Sequence, residues 1–172
     1  MKKIYFILAI LILILIATFA ISKPTPLGYK DITYKIEGRP ITLSDTQYFG
    51  NELRHDLNDD GREDVAFILT QETGGSGTFF YLVAALNMPT GYVGSEAFFL
   101  GDRIAPQTTE LDQGQTALGS NRRNVIVVNY ADRAPGEPFT TPPSVGKSVW
   151  LKLDPTTMQF AEVAQNFEGE AN

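Results

Sequence analysis

The sequence predicts an all-β domain, an antiparallel barrel or sandwich of about eight or more short strands, preceded by one N-terminal transmembrane helix. Three observations predict it. Short runs rich in Val, Ile, Phe and Tyr recur along the chain, separated by Gly, Pro and Asn turn signals. Three of the runs are apolar at consecutive positions, as strands covered on both faces must be. No helical period runs through any stretch after residue 21, so nothing offers a helix to cover a sheet.

Met1-Lys2-Lys3 leads into Ile4 to Ile21, an apolar run broken only by Thr18. As a helix, these residues span about 27 Å, close to a bilayer core. That is longer than the apolar core of a cleaved signal peptide. Lys23-Pro24 also follows the small-residue stretch Ala20-Ile21-Ser22 awkwardly, which favours an uncleaved signal anchor over a secreted product. In both cases Lys2 and Lys3 stay cytoplasmic and the rest is exported. The expected organisation is an anchor over 1–22, a spacer over 23–28, an extracytoplasmic β-domain over 29–165, and a polar tail or linker start over 166–172.

Tyr29 to Glu37 alternates, with Ile32, Tyr34 and Ile36 on one face, and reads as a half-buried strand. Gly38-Arg39-Pro40 turns it into a hairpin partner at Ile41-Thr42-Leu43. Gln47 to His55 reads as a strand. Val65 to Gln71 is a buried strand, and Thr73 to Thr78 is a glycine-rich loop without the Gly-Lys-Ser/Thr ending and following helix of a phosphate cradle. Phe79 to Leu86 should be central and covered on both sides. Asn87 to Gly91 turns the chain into a strand over Tyr92 to Leu100.

Gln107–Leu111 and Thr116–Leu118 are weak strands, Ser120–Asn124 is a polar turn, and Val125–Val128 is a buried strand. Ala131 to Gly146 holds four prolines and reads as a long exposed loop. Val149, Leu151 and Leu153 alternate with polar or exposed neighbours, and Asp154-Pro155-Thr156-Thr157 turns into a last strand over Met158–Ala164. Gly146-Lys147-Ser148 fails as a nucleotide loop, because residue 141 is Thr and a strand follows.

The chemistry-bearing stretch is Asp56-Leu57-Asn58-Asp59-Asp60-Gly61-Arg62-Glu63-Asp64, a D-x-N-x-D-G-x-x-D pattern. Ca²⁺ takes six to eight oxygens, and a loop curling around it aims alternate residues inward. Asp56, Asn58 and Asp60 hold those places. Arg62 would give its backbone carbonyl, and Asp64 would bind directly or through water. Gly61 permits the reversal. The chain has no Cys and one His, which argues against a thiolate or imidazole site. It is not an EF-hand, since position 12 is Phe67 and a strand follows. A single loop is also too few for a propeller, which needs at least four blades.

The loop is similar to those of integrin-type propeller repeats and dockerins. Tyr48-Phe49-Gly50-Asn51 through the loop, then Gly74-Gly75-Ser76-Gly77-Thr78-Phe79 and Phe99-Leu100-Gly101-Asp102-Arg103, resembles small exported bacterial proteins, many of them lipoproteins, that carry one such loop. The resemblance covers roughly Tyr48 to Leu153. A Cys pair present in some of those proteins is missing; in others a second β-domain follows the tail, and residues 166–172 stop before one could fit, as in a fragment or a short version of that arrangement. The resemblance implies export and the loop, and no activity.

Without Lys2 and Lys3 the chain carries 12 basic and 20 acidic residues, a net charge of −8, which argues against nucleic acid as a partner. The lone His55 abuts Asp56 and flanks the loop rather than serving a triad. Asp102, Asp132 and Glu137 lie at strand ends or in loops and are formal candidates for paired-carboxylate hydrolysis. Asp102-Arg103 and Asp132-Arg133 form an echo that reads first as structural ion pairs. The expected function is a membrane-anchored β-domain with a structural Ca²⁺, binding an envelope protein or glycan. The alternatives are a hydrolase using loop carboxylates and a structural spacer for a partner domain. Convergence of Asp102, Asp132 and Glu137 in a deep pocket would favour the hydrolase.

Overall fold

The structure is a computed structural model that describes residues 27–112 and 123–163. The anchor, residues 23–26 of the spacer, the strand at Thr116–Leu118 and the tail lie outside the described residues. Among those described there is no helix; eleven strands form three sheets, and every strand ladder is antiparallel.

The central sheet has the order β3 (Gln47–His55), β4 (Asp64–Glu72), β5 (Thr78–Met88), β6 (Gly91–Gly94), with β7 (Phe98–Asp102) also on β5. Strands β6 and β7 divide one edge of β5, pairing with Ala85–Met88 and with Phe79–Leu82 respectively. A four-stranded sheet runs β11 (Gln159–Glu162), β10 (Val145–Asp154), β9 (Val125–Asp132), β8 (Ala105–Leu111), and the third sheet is the hairpin β1 (Tyr34–Ile36) and β2 (Arg39–Ile41).

Both faces of β4 and β5 are covered, which explains their unbroken apolar composition. On one face Ala66, Ile68, Leu82, Ala84 and Leu86 pack with Ile126, Val128, Leu151 and Leu153 of the four-stranded sheet. On the other face Val65, Phe67, Leu69, Val83 and Ala85 pack under Ile32, Tyr34, Ile36 and Ile41. Tyr34 is fully buried, its ring meets Phe67 edge-on at 5.5 Å, and its hydroxyl donates to the Tyr29 carbonyl at 2.5 Å. Burial pushes that hydroxyl's pKa up.

Several boundaries differ from the sequence reading. The first strand is only Tyr34–Ile36, and its turn is Glu37-Gly38, at φ 51° and 75°. Two consecutive positive φ angles suit a two-residue hairpin. Arg39 and Pro40 therefore belong to β2, and as a short strand paired only to β1 it tolerates a proline. The strand expected over Tyr92–Leu100 is broken at Ser95–Ala97. There Lys35 N–H donates to the Ser95 carbonyl at 3.1 Å and Ala97 N–H to the Lys35 carbonyl at 2.7 Å, which docks β1 alongside. Gly94 sits at this crossing, where a Cβ would fall 2.3 Å from the Thr33 carbonyl oxygen. The long proline loop is shorter than expected, because β9 runs on to Asp132 and β10 starts at Val145. Met158, at φ 58°, belongs to the final turn rather than the final strand.

Candidate functional site

The aspartate loop joins β3 to β4, with Asp59 at φ 61° and Gly61 at φ 83°. Asp60 N–H donates to Asp56 Oδ1 at 3.0 Å and to Asn58 Oδ1 at 3.1 Å, so these two oxygens face one point. Gly61 N–H donates to Asp56 Oδ2 at 2.7 Å. Burial alone would raise the Asp56 pKa, but the N–H groups of Gly61 and Asp60 outweigh it and hold the carboxyl low. Asp60 accepts Arg62 N–H at 2.9 Å, Asn58 Nδ2 at 2.8 Å and the Arg62 guanidinium. The Arg62 Nε also donates to the Asn87 carbonyl.

Asp64 behaves differently. It is fully buried, and its two oxygens accept Leu57 N–H at 2.8 Å and Asn87 N–H at 2.7 Å. Its carboxyl is raised, by burial first and then by the charges of Asp60 and Asp56. His55 faces it across the β3–β4 ladder. The outlying charges find arginines: Asp59 meets Arg123 at 2.9 Å and Glu63 meets Arg54 at 3.3 Å.

The donor set fits a hard cation in kind, with the oxygens of Asp56, Asn58 and Asp60 turned into one loop. As placed, the Arg62 guanidinium holds Asp60. Among the described residues no group of three His, Cys, Asp or Glu side chains converges as metal ligands. Loading the loop therefore means moving Arg62 off Asp60, while Asp64 keeps the fold's N–H groups and offers its remaining lone pairs.

The two Asp-Arg stretches come together, but only Asp102–Arg103 is an ion pair, since the Arg133 guanidinium goes to the Arg103 and Thr141 carbonyls. Arg103 grips Asp102 through Nη2 at 2.7 Å and Nε at 3.1 Å, and Asp102 also accepts Thr78 N–H at 3.0 Å. Arg133 Nη1 donates to the Arg103 carbonyl at 3.0 Å. Asp132 takes Lys147 at 2.7 Å, and Glu137 accepts Ala134 N–H at 2.8 Å. The Arg103 guanidinium lies 4.1 Å from the centre of the Phe139 ring. Asp102 and Asp132 are thus each held by a cation and Glu137 by an N–H group, while Arg133 links the segment after β9 to the one after β7.

Sequence reading missed a cleft of about 810 Å³ between the hairpin and the central sheet. The short hairpin covers Val83 and Ala85 fully and Tyr81 only in part. Half-buried Phe79 and Tyr81 of β5 and exposed Phe99 of β7 make an aromatic floor, with Tyr81–Phe99 ring centres 5.5 Å apart and Phe79–Phe99 centres 6.3 Å apart. Glu37, Arg39 and Asp45 stand on the rim, while Asp102, Asp132 and Glu137 line no part of the cleft. A volume of this size, with an aromatic floor and polar groups from Glu37, Arg39, Asp45, Gln71 and Thr73 around it, has the form of a small-ligand site. The sequence signal was Phe79, Tyr81 and Phe99 at alternate or paired strand positions, legible only once β5 is known to pair with β7.

Compared with protein families, curated proteins and solved structures, the chain matches none.

Proposed function

We propose that the chain is a membrane-anchored, extracytoplasmic binding module. In this reading residues 4–21 form the anchor, calcium stiffens the Asp56–Asp64 loop, and the cleft over Phe79, Tyr81 and Phe99 takes the ligand. The observation that carries it is the cleft itself: aromatic surface on the central sheet, left open beside a hairpin too short to cover it. Phe99 is 52% exposed, a large apolar side chain held at the surface by a rigid strand.

The calcium role is structural. Asp56, Asn58 and Asp60 would hold the ion, joined by the Arg62 carbonyl and by Asp64. The ion would supply the positive charge that the loop now draws from Arg62 and from backbone N–H groups. Millimolar calcium outside cells suits a single weak loop. At ~10-fold excess over Kd the ion stabilises the fold by about 1.4 kcal/mol.

The test is Asp60→Asn, which keeps acceptors for the Arg62 N–H and removes the charge. Calcium raises the melting temperature of the parent above its calcium-free value and fails to raise that of the variant, whose calcium-free stability also falls as an amide NH2 replaces the oxygen that accepts from Asn58 and Arg62. An equal calcium response in both proteins refutes the loop as the site. The cleft arm of the reading is tested with its ligand class below.

A further inference from the structure

Resting on the cleft reading above, we propose that the cleft binds an organic cation with an apolar body, of the quaternary ammonium class. Aromatic faces carry negative potential and attract such cations, which no neutral apolar wall does. Three rings share the floor: Phe79 and Tyr81 two residues apart on one strand, and Phe99, the ladder partner of Tyr81, on the next. A carboxylate stands beside them without a cation of its own: among the described residues Glu37 makes no ion pair. Its charge reaches Tyr81, whose hydroxyl is raised by burial first and by Glu37 second. Asp45 adds a second carboxylate, fixed by Thr42 through its N–H at 2.9 Å and its hydroxyl at 2.8 Å. Arg39 is the one cation among the lining residues, so the cleft is net negative as well as aromatic.

An ammonium with methyl or alkyl substituents matches all three features. Its charge is spread over carbon, so its desolvation against the rings is cheap compared with that of a primary ammonium, and its bulk fills an open aromatic floor. An anion would meet two carboxylates, and a neutral apolar ligand would gain nothing from the charge of Glu37.

The experiment is an NMR titration of the full chain in maltoside detergent, reading the ring protons of Tyr81, Phe79 and Phe99. The probes are benzyltrimethylammonium and its neutral carbon isostere, neopentylbenzene. Saturable shifts at these rings with the cation, at least ~10-fold weaker with the isostere, support the proposal. Phe99→Leu, at an exposed position, should weaken cation binding about tenfold, and Glu37→Gln about threefold or more, with chemical shifts elsewhere unchanged. Glycerophosphocholine and choline identify the source: tighter binding of the first assigns a lipid headgroup, and tighter binding of the second a free cation. Equal affinity for cation and isostere overturns the cation class and leaves the cleft a ligand site. No saturable shift with either probe overturns both the inference and the cleft reading.

Discussion

Asp64 enters β4 from the aspartate loop with both carboxylate oxygens taken by backbone N–H groups, Leu57 on the loop and Asn87 at the end of β5. One buried side chain thus ties the loop to two strands. Asp64→Ala strands two N–H groups in the interior and should cost about 3 kcal/mol, read as a lower urea midpoint. Asp64→Asn keeps one acceptor and should fall between the parent and the alanine variant. Equal loss in both variants would show that the carboxylate is not what holds the loop. Gly94 acts through space rather than bonding. Its φ is not in the left-handed region, but an alanine there would drive a methyl into the Thr33 carbonyl. Gly94→Ala should destabilise by ~1–3 kcal/mol, because the atom in the way is backbone and cannot rotate aside.

Among the elements, β4 and β5 were the most legible in the sequence, since runs such as Val65-Ala66-Phe67-Ile68-Leu69 have no polar face to put outside. Phe67 lies under the hairpin, with the rings of Tyr29, Tyr34 and Tyr48 around it. Phe67→Ala should cost about 3–5 kcal/mol by equilibrium denaturation. The hairpin itself was only half legible: Ile32, Tyr34 and Ile36 marked its buried face, but the turn uses Glu37 at positive φ, which local sequence favours elsewhere. The break at Ser95 was invisible, because it answers to β1, some sixty residues upstream. The aspartate loop was legible as a motif, yet the hold of Arg62 on Asp60 and the double role of Asp64 depend on Asn87, which no spacing announces.

The carboxylate–cation pairs at the ends of β7 and β9 carry a pH dependence. The Arg103 guanidinium holds the Asp102 carboxyl below the usual carboxylate range, and the Lys147 ammonium does the same for Asp132. A depressed carboxylate stabilises the fold above its unfolded pKa, about 3.9, and that stability is lost as pH falls through the depressed value. Asp102→Asn should therefore be less stable than the parent at neutral pH, with the gap closing as pH falls below about 4. A gap independent of pH would assign the loss to the Thr78 N–H contact instead.

At the scale of the whole molecule, the packing of the three sheets sets an aspartate loop, rooted in the core through Leu57 and Asp64, at one turn of the central sheet and an aromatic floor beside the hairpin. Together they make a stabilised scaffold and a ligand site in the proposed reading, carried on an acidic chain of net charge −6. The most direct test of its central claim is calorimetric titration of the full chain with Ca²⁺ and with Mg²⁺, alongside thermal melts. Calcium held by Asp56, Asn58 and Asp60 should give saturable heat, a raised melting temperature, and a larger response than Mg²⁺, whose strict octahedral shell suits this loop poorly. No heat and no shift with Ca²⁺ would contradict it, and the loop would then be an acidic turn held by Arg62 and its own N–H groups.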